Sequence, residues 1–184
     1  MTYLDFTSKD FYEAIKSLLL SKGDRVTLDK GDLLCHLGER NSLIGILGGG
    51  SLKYSCPTAN GGEQIISFAF TGDLVGSYSA IRNNFPSPVD IVALENSTIY
   101  QMPILQIDEA IGLEMRIKLS EAISLKALLN AIDYRCKSHM ERYQELTSRF
   151  PDIHNRLSNR TIALYLGITP ESFCRLRKRL LTTT

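Results

Sequence analysis

Apolar residues recur in three different rhythms along this chain. Between residues 8 and 21, Phe11, Ile15, Leu18 and Leu19 fall at helical spacing, with Ser8 placed to cap the start and Gly23 to end it. From 25 to 102 the apolar runs shorten and turn residues separate them. Arg25–Leu28, Leu33–Leu37, Ile44–Leu47, Ser51–Ser55, Gln64–Phe70, Val89–Leu94 and Thr98–Met102 read as strands. Lys30-Gly31-Asp32, Gly48-Gly49-Gly50, Asn60-Gly61-Gly62 and Gly72-Asp73 punctuate them, and Asn-Gly is a hairpin signal. Many short strands with frequent turns predict an antiparallel sandwich or barrel-like roll.

After Pro103 the helical rhythm returns. Residues 104–138 hold no proline, and Gly112 is the single glycine. Met115, Leu119, Ala122, Leu125, Leu129, Ile132 and Cys136 step by three and four, which predicts one long helix with an apolar stripe. The stripe is longer than a small roll can cover, so Met115, Leu119, Ala122, Leu125, Leu129 and Ile132 are expected to pair with a second copy. Packing against the roll is the alternative. A short helix over Arg142–Phe150 should stop at Pro151, and two more helices should follow within 158–181.

The segment from Asn159 to Lys178 fits a helix-turn-helix. Ala163 is small where a second helix would cross, and Gly167, four positions on, permits positive φ in the turn. Ile162, Leu166, Ile168, Phe173 and Leu176 would seal the pair, Thr169 would cap the second helix, and Pro170 suits its first position. In such a motif the second helix presents its N-terminal residues to the major groove. Glu171, Ser172 and Arg175 are then candidates for base readout, with Arg175 matched to guanine and Glu171 to cytosine. Arg160, Thr161, Arg177, Lys178 and Arg179 are candidates for phosphate contacts. One helix reads few base pairs, so a homodimer on two half-sites is expected, with double-stranded DNA as partner and RNA polymerase as a further candidate.

Charge agrees with this division. Residues 1–134 carry 11 Lys/Arg against 16 Asp/Glu, while residues 135–184 carry 10 against 4. A basic end on an acidic chain suits a polyanion partner at that end. No apolar run reaches 18 residues and the first residues lack the basic and apolar parts of a secretory signal, so no membrane span and a cytoplasmic location are expected. Cys35, Cys56, Cys136 and Cys174 are too widely spaced for a thiolate metal cluster and are expected to be buried free thiols. No metal is expected. An enzyme on a metal-binding β-barrel would need several histidines from strands, and His36 stands alone there. A ligand-binding module that regulates a protein partner is a further alternative.

A β-roll, a long helix and a C-terminal helix-turn-helix resemble the Crp/Fnr family of bacterial regulators. The resemblance covers nearly the whole chain. It rests on Gly31-Asp32, the Gly48–Gly50 turn, Gly62-Glu63, Gly72-Asp73 with Gly76, and Ala93-Leu94-Glu95 in order. Arg142-Tyr143, Pro151 and the run Ile162–Glu171 resemble most closely a Bacteroidetes-type branch of that family. The resemblance implies an α+β fold. Residues 1–102 would form a cyclic-nucleotide-binding-like jelly roll with its N-terminal helix, 103–139 the dimerisation helix, and 140–184 the DNA-binding domain. It also implies a ligand pocket around Gly76, Ser77, Tyr78, Arg82 and Ser87. There the family's ribose-binding glutamate falls at Ser77, and its phosphate-clamping Arg-Ser pair falls at Ser87-Pro88. The arginine is missing, and only Arg82, five residues upstream, is at hand. The resemblance therefore implies the fold without ordinary cyclic AMP binding, no fixed cofactor, and an unknown small-molecule effector or a ligand-free scaffold. The family's iron–sulfur sensors use N-terminal cysteines, and none precedes Cys35. The recognition helix has Pro170, Glu171 and Arg175 where well-studied activators have Arg, Glu and Arg, so a different operator is implied.

Overall fold

The structure, a computed structural model, describes residues 9–78 and 85–183. Ser8 and Arg82, and with them the expected N-cap and the substitute arginine, lie outside the described residues. In chain order the elements are α1 (Lys9–Lys22), β1 (Asp24–Leu28), β2 (Leu33–Cys35), β3 (Leu43–Gly49), β4 (Ser51–Pro57), β5 (Glu63–Phe70), β6 (Leu74–Val75), β7 (Asp90–Ala93) and β8 (Ser97–Pro103). The helices α2 (Ile104–Cys136), α3 (His139–Arg149), α4 (Ile153–Arg156), α5 (Asn159–Leu166) and α6 (Pro170–Thr183) complete the chain. They form two compact units. The first comprises 1–56 and 67–126, and the second comprises 57–66 and 127–184.

In the first unit the strands form two four-stranded sheets, ordered β1-β8-β3-β6 and β2-β7-β4-β5. β8 pairs antiparallel with β1 (Thr27 opposite Thr98) and with β3 (Ile46 opposite Tyr100). The period of two along a strand decides which core each residue joins. On β3, Leu47 enters a core shared by both sheets with Cys35, Leu52, Ala69, Val75, Ile91, Ala93 and Ile99. Ile44 and Ile46 face the other way, onto Ile15 and Leu19 of α1 and Ile104, Ile107 and Leu119 of α2. The sequence-predicted roll is thus present, with helices covering the outer face of one sheet.

Two expectations about α2 are corrected. The helix is interrupted at Gly112, whose φ of 74° and ψ of 173° no side-chain-bearing residue adopts readily, so two helical pieces meet there. Leu119 is 3% exposed within the core of its own chain and is not available to a second copy. Ile123 packs partly on the same core, whereas Leu113 and Ile117 are exposed on the other side of the helix. Leu128, Leu129 and Ile132 come next at helical spacing and are exposed, and Leu125 is half-buried. The side chains of Met115 and Ala122 lie outside the described residues.

In the second unit α3 begins three residues before the expected Arg142. Ser138 supplies a capping box there, its hydroxyl accepting from Glu141 N and its own N–H donating to the Glu141 carboxylate. The helix α4 has no counterpart among the sequence-based expectations. Tyr143, Leu146, Ile153, Leu157, Ile162, Ala163, Leu166 and Phe173 are buried and form the apolar interior that these short helices require. The cysteines are free, but Cys136 and Cys174 are exposed and only Cys35 is buried, so the expectation of four buried thiols fails. Spacing excludes a cluster but says nothing of which helix face a lone cysteine occupies. No helix among the described residues is long and apolar enough to cross a membrane.

Candidate nucleic-acid interface

The pair α5 and α6 is built from both ends. Ser158 caps α5 by accepting the Thr161 N–H at 3.1 Å. Gly167 ends it in the left-handed region, φ 74° and ψ 32°, and its N–H donates to Ala163 O. Thr169 then starts α6, its hydroxyl accepting the Ser172 N–H at 3.2 Å. Ile162, Ala163, Leu166 and Phe173 are fully buried. Ala163 has no bulk to hold the helices apart. The Phe173 ring meets Tyr143 of α3 edge-on, with centroids 5.2 Å apart.

Carbonyls at the end of a helix have no partner within it. Side chains supply partners here. Arg142 of α3, 7% exposed, donates its Nη2 to Leu166 O, and its guanidinium lies 4.7 Å above the Tyr134 ring. Gln64 Nε2 donates to Leu164 O at 2.6 Å and lies 3.4 Å from Tyr165 O. Sequence reasoning assigned no role to Arg142 or Gln64. Both act across long stretches of sequence, and no local pattern marks such contacts.

With Phe173 facing inward, helical spacing turns Glu171, Cys174, Arg175 and Lys178 outward, and all four are exposed. Arg175 Nη2 donates to Ser172 Oγ at 3.2 Å, an exposed contact that a stronger acceptor can replace. The Glu171 carboxyl is held below the usual carboxylate range by its own backbone amide and the Thr169 hydroxyl, with Arg175 adding its charge. It is therefore an anion and a hydrogen-bond acceptor at neutral pH. Arg160 and Arg179 are exposed, and Thr161 is half-buried. Arg177 behaves differently. It falls four residues after Phe173, on the inward face, and donates Nη1 to Asn159 Oδ1 at 3.0 Å.

The described residues expected to line a ligand pocket in the roll are uncharged, and Gly76 and Ser87 are engaged with a neighbouring side chain or the backbone. Gly76 N–H donates to the Tyr54 hydroxyl at 3.3 Å, and the Tyr54 ring packs on the roll core. Burial pushes that phenol up to about 12, so it stays neutral. Ser77 is buried and its Oγ has no hydrogen-bond partner. Ser87, also buried, donates its hydroxyl to Val89 O at 2.7 Å. Tyr78 is half-buried. Of these residues none is a cation, and the Gly76 amide is already engaged. Burying a phosphate without a cationic or amide clamp costs several kcal/mol, in the range of ~2–7 for even a neutral polar group. The described residues do not fit a cyclic phosphate.

Comparison with known proteins follows the same division. Residues 25–112 match the cyclic nucleotide-binding domain family. The fumarate and nitrate reduction regulatory protein of Yersinia pestis is 27% identical over 170 residues, covering 83% of this chain and 66% of that protein. The chain thus spans just under two thirds of that relative's length. The fold is shared with FixK2 from Bradyrhizobium japonicum, at a TM-score of 0.73 and 19% identity over 88% of this chain and 85% of that one. It is also shared with a CooA variant from Carboxydothermus hydrogenoformans, at a TM-score of 0.69 and 16% identity over 96% and 86%. A domain match confined to the roll, a regulatory relative similar along most of the sequence and a shared fold agree on one point: residues 25–112 form a cyclic nucleotide-binding domain, in a chain similar to Crp/Fnr-type transcription regulators.

Proposed function

We propose that the chain is a sequence-specific DNA-binding transcription regulator that acts as a homodimer in the cytoplasm. The observation that carries this reading is the outward face of α6, where Glu171 and Arg175 stand exposed opposite the buried Phe173. In a major groove the Arg175 guanidinium can donate twice to guanine O6 and N7, and the ionised Glu171 can accept from cytosine N4. Ser172 lies between them. Arg160, Thr161, Lys178 and Arg179 would meet phosphates and add affinity without reading sequence. Residues 1–102 serve as the sensor roll, 103–139 as the pairing helix and 140–184 as the reader.

For the dimer, the exposed stripe of Ile117, Leu128, Leu129 and Ile132, with the half-buried Leu125, is the pairing face. It replaces the expected stripe through Leu119. The effector is a small molecule other than a cyclic nucleotide, and the buried, unpartnered Ser77 hydroxyl is the group such a ligand would satisfy. A second reading, a ligand-free scaffold roll, is favoured by Tyr54, whose phenol already engages Gly76.

Binding-site selection from random duplexes, followed by titration across salt concentration, tests the function. A selected duplex should bind with log affinity falling linearly in log salt, by about 0.9 per phosphate neutralised. Arg175→Ala should lose about 1–3 kcal/mol of discrimination at one base pair. No affinity for any duplex at low salt, or unaltered selectivity in Arg175→Ala, defeats the reading.

A further inference from the structure

Arg177 belongs to a network in which α3, α4, α5 and α6 meet. Its Nη1 donates to Asn159 Oδ1 at 3.0 Å, and Asn159 is the first residue of α5. Its positive charge also acts on Tyr143 of α3, offsetting part of the rise that burial gives that phenol, and lowers the proton affinity of His154 on α4. That Tyr143 oxygen lies 2.6 Å from His154 Nε2, and the Tyr143 ring packs edge-on against Phe173. A single side chain on α6 thus bonds the start of α5 and sets its charge near the Tyr143–His154 pair. A planar guanidinium fixes the direction of more than one bond at once, which a lysine ammonium cannot do.

We propose that Arg177 is a positioning residue that fixes the angle of α6 against α5, and not a phosphate contact. The inference rests on the reading that α6 enters the major groove. Its guanidinium is engaged by Asn159 within the unit, and its half-buried place four residues after Phe173 keeps it off the outward face. The exposed arginines of the same helix are Arg175 and Arg179. An error in helix angle displaces Glu171 and Arg175 from base edges together. It therefore harms binding to the selected duplex far more than binding to random DNA, which depends on phosphates.

The test uses the full chain with Arg177→Ala, Arg177→Lys and Asn159→Ala, each titrated on the selected and a random duplex over a salt series. Arg177→Ala and Arg177→Lys should both weaken selected-site binding by about tenfold to a hundredfold, the worth of one charge-assisted hydrogen bond. Affinity for random DNA and the salt slope should stay unchanged, and the double variant Asn159→Ala/Arg177→Ala should be no worse than Arg177→Ala alone. A slope reduced by about 0.9 in Arg177→Ala, or full rescue by Arg177→Lys, assigns a phosphate contact and overturns the proposal. So does unchanged specificity. If Arg177→Ala melts below the assay temperature, Arg177→Lys and Asn159→Ala decide by the same criteria. Failure of the unsubstituted chain to select any duplex instead defeats the functional reading on which the proposal stands.

Discussion

Replacing Gly167 separates backbone conformation from packing at the junction of α5 and α6. Its φ of 74° and ψ of 32° lie in the left-handed region. A side-chain-bearing residue loses roughly 1–2 kcal/mol there. A Cβ at this position would meet Gln64 Oε1 at 3.3 Å and the Tyr134 hydroxyl at 3.6 Å, so the steric demand is a shift of a few tenths of an ångström. The cost is therefore mainly conformational. Against it stands about 0.4–1 kcal/mol from the reduced freedom of the unfolded chain. Gly167→Ala should lose about 1 kcal/mol net, which lowers the melting temperature of a unit of this size by about 4–8 °C. Gly167→Asn should lose about half as much, because asparagine tolerates this region, whereas Gly167→Val should lose the most. Urea unfolding followed by circular dichroism gives the magnitudes, and amide hydrogen exchange at residues 163–168 locates the effect. An alanine variant as stable as the parent, or an asparagine variant as damaged as the valine one, would refute the assigned conformation.

The same geometry predicts three further outcomes. Ala163→Leu puts a larger side chain where exposure is 0%, so it should cost about 1–3 kcal/mol by overpacking and abolish selected-site binding in gel shifts. His154 is held below its ordinary value, first by burial and then by Arg177. The unfolded chain then binds that proton more tightly, so this contribution is full above about pH 6.5 and declines as pH falls through the lowered folded value. Melting temperatures between pH 8 and 5 should show the decline, and His154→Gln should flatten it. Cyclic AMP and cyclic GMP should leave the melting temperature unchanged, and a rise of several degrees at micromolar nucleotide would contradict the lack of fit at Tyr54, Ser77 and Ser87.

Local chemistry made much of this fold legible. The Asn60-Gly61-Gly62 turn, the short apolar run of β3 and the cap-and-stop pattern at the α5–α6 junction each depend on residues a few positions apart, and each appears in the structure where the pattern placed it. Tertiary contacts between distant positions were not legible. Gln64 reaches Leu164 across 100 residues, and Arg142 reaches Leu166 across 24. A polar side chain that caps another element looks in sequence like any solvated residue. Arg177 is an intermediate case. Counting four residues from Phe173 places it on the inward face, whereas its charge alone suggests a phosphate.

The long helix shows the limit of periodicity most clearly. A stripe of apolar residues every three or four positions states that one helix face is removed from water, and it does not name the partner. In α2 two such faces overlap in sequence. Leu119 and Ile123 turn to the roll, whereas Ile117, Leu128 and Ile132 do not. Gly112 adds to the ambiguity, since a break there resets the phase between Ile104 and Ile107 on one side and Leu119 on the other. Only the positions that the chain's own core leaves exposed are available to a second copy. Ile117→Glu should therefore dissociate the proposed dimer, as read by sedimentation, with little loss of monomer stability. Leu119→Glu should instead unfold the roll, because an unpaired carboxylate would enter the core with Ile15 and Leu19. Equal behaviour of the two variants would mean that this division of faces is wrong.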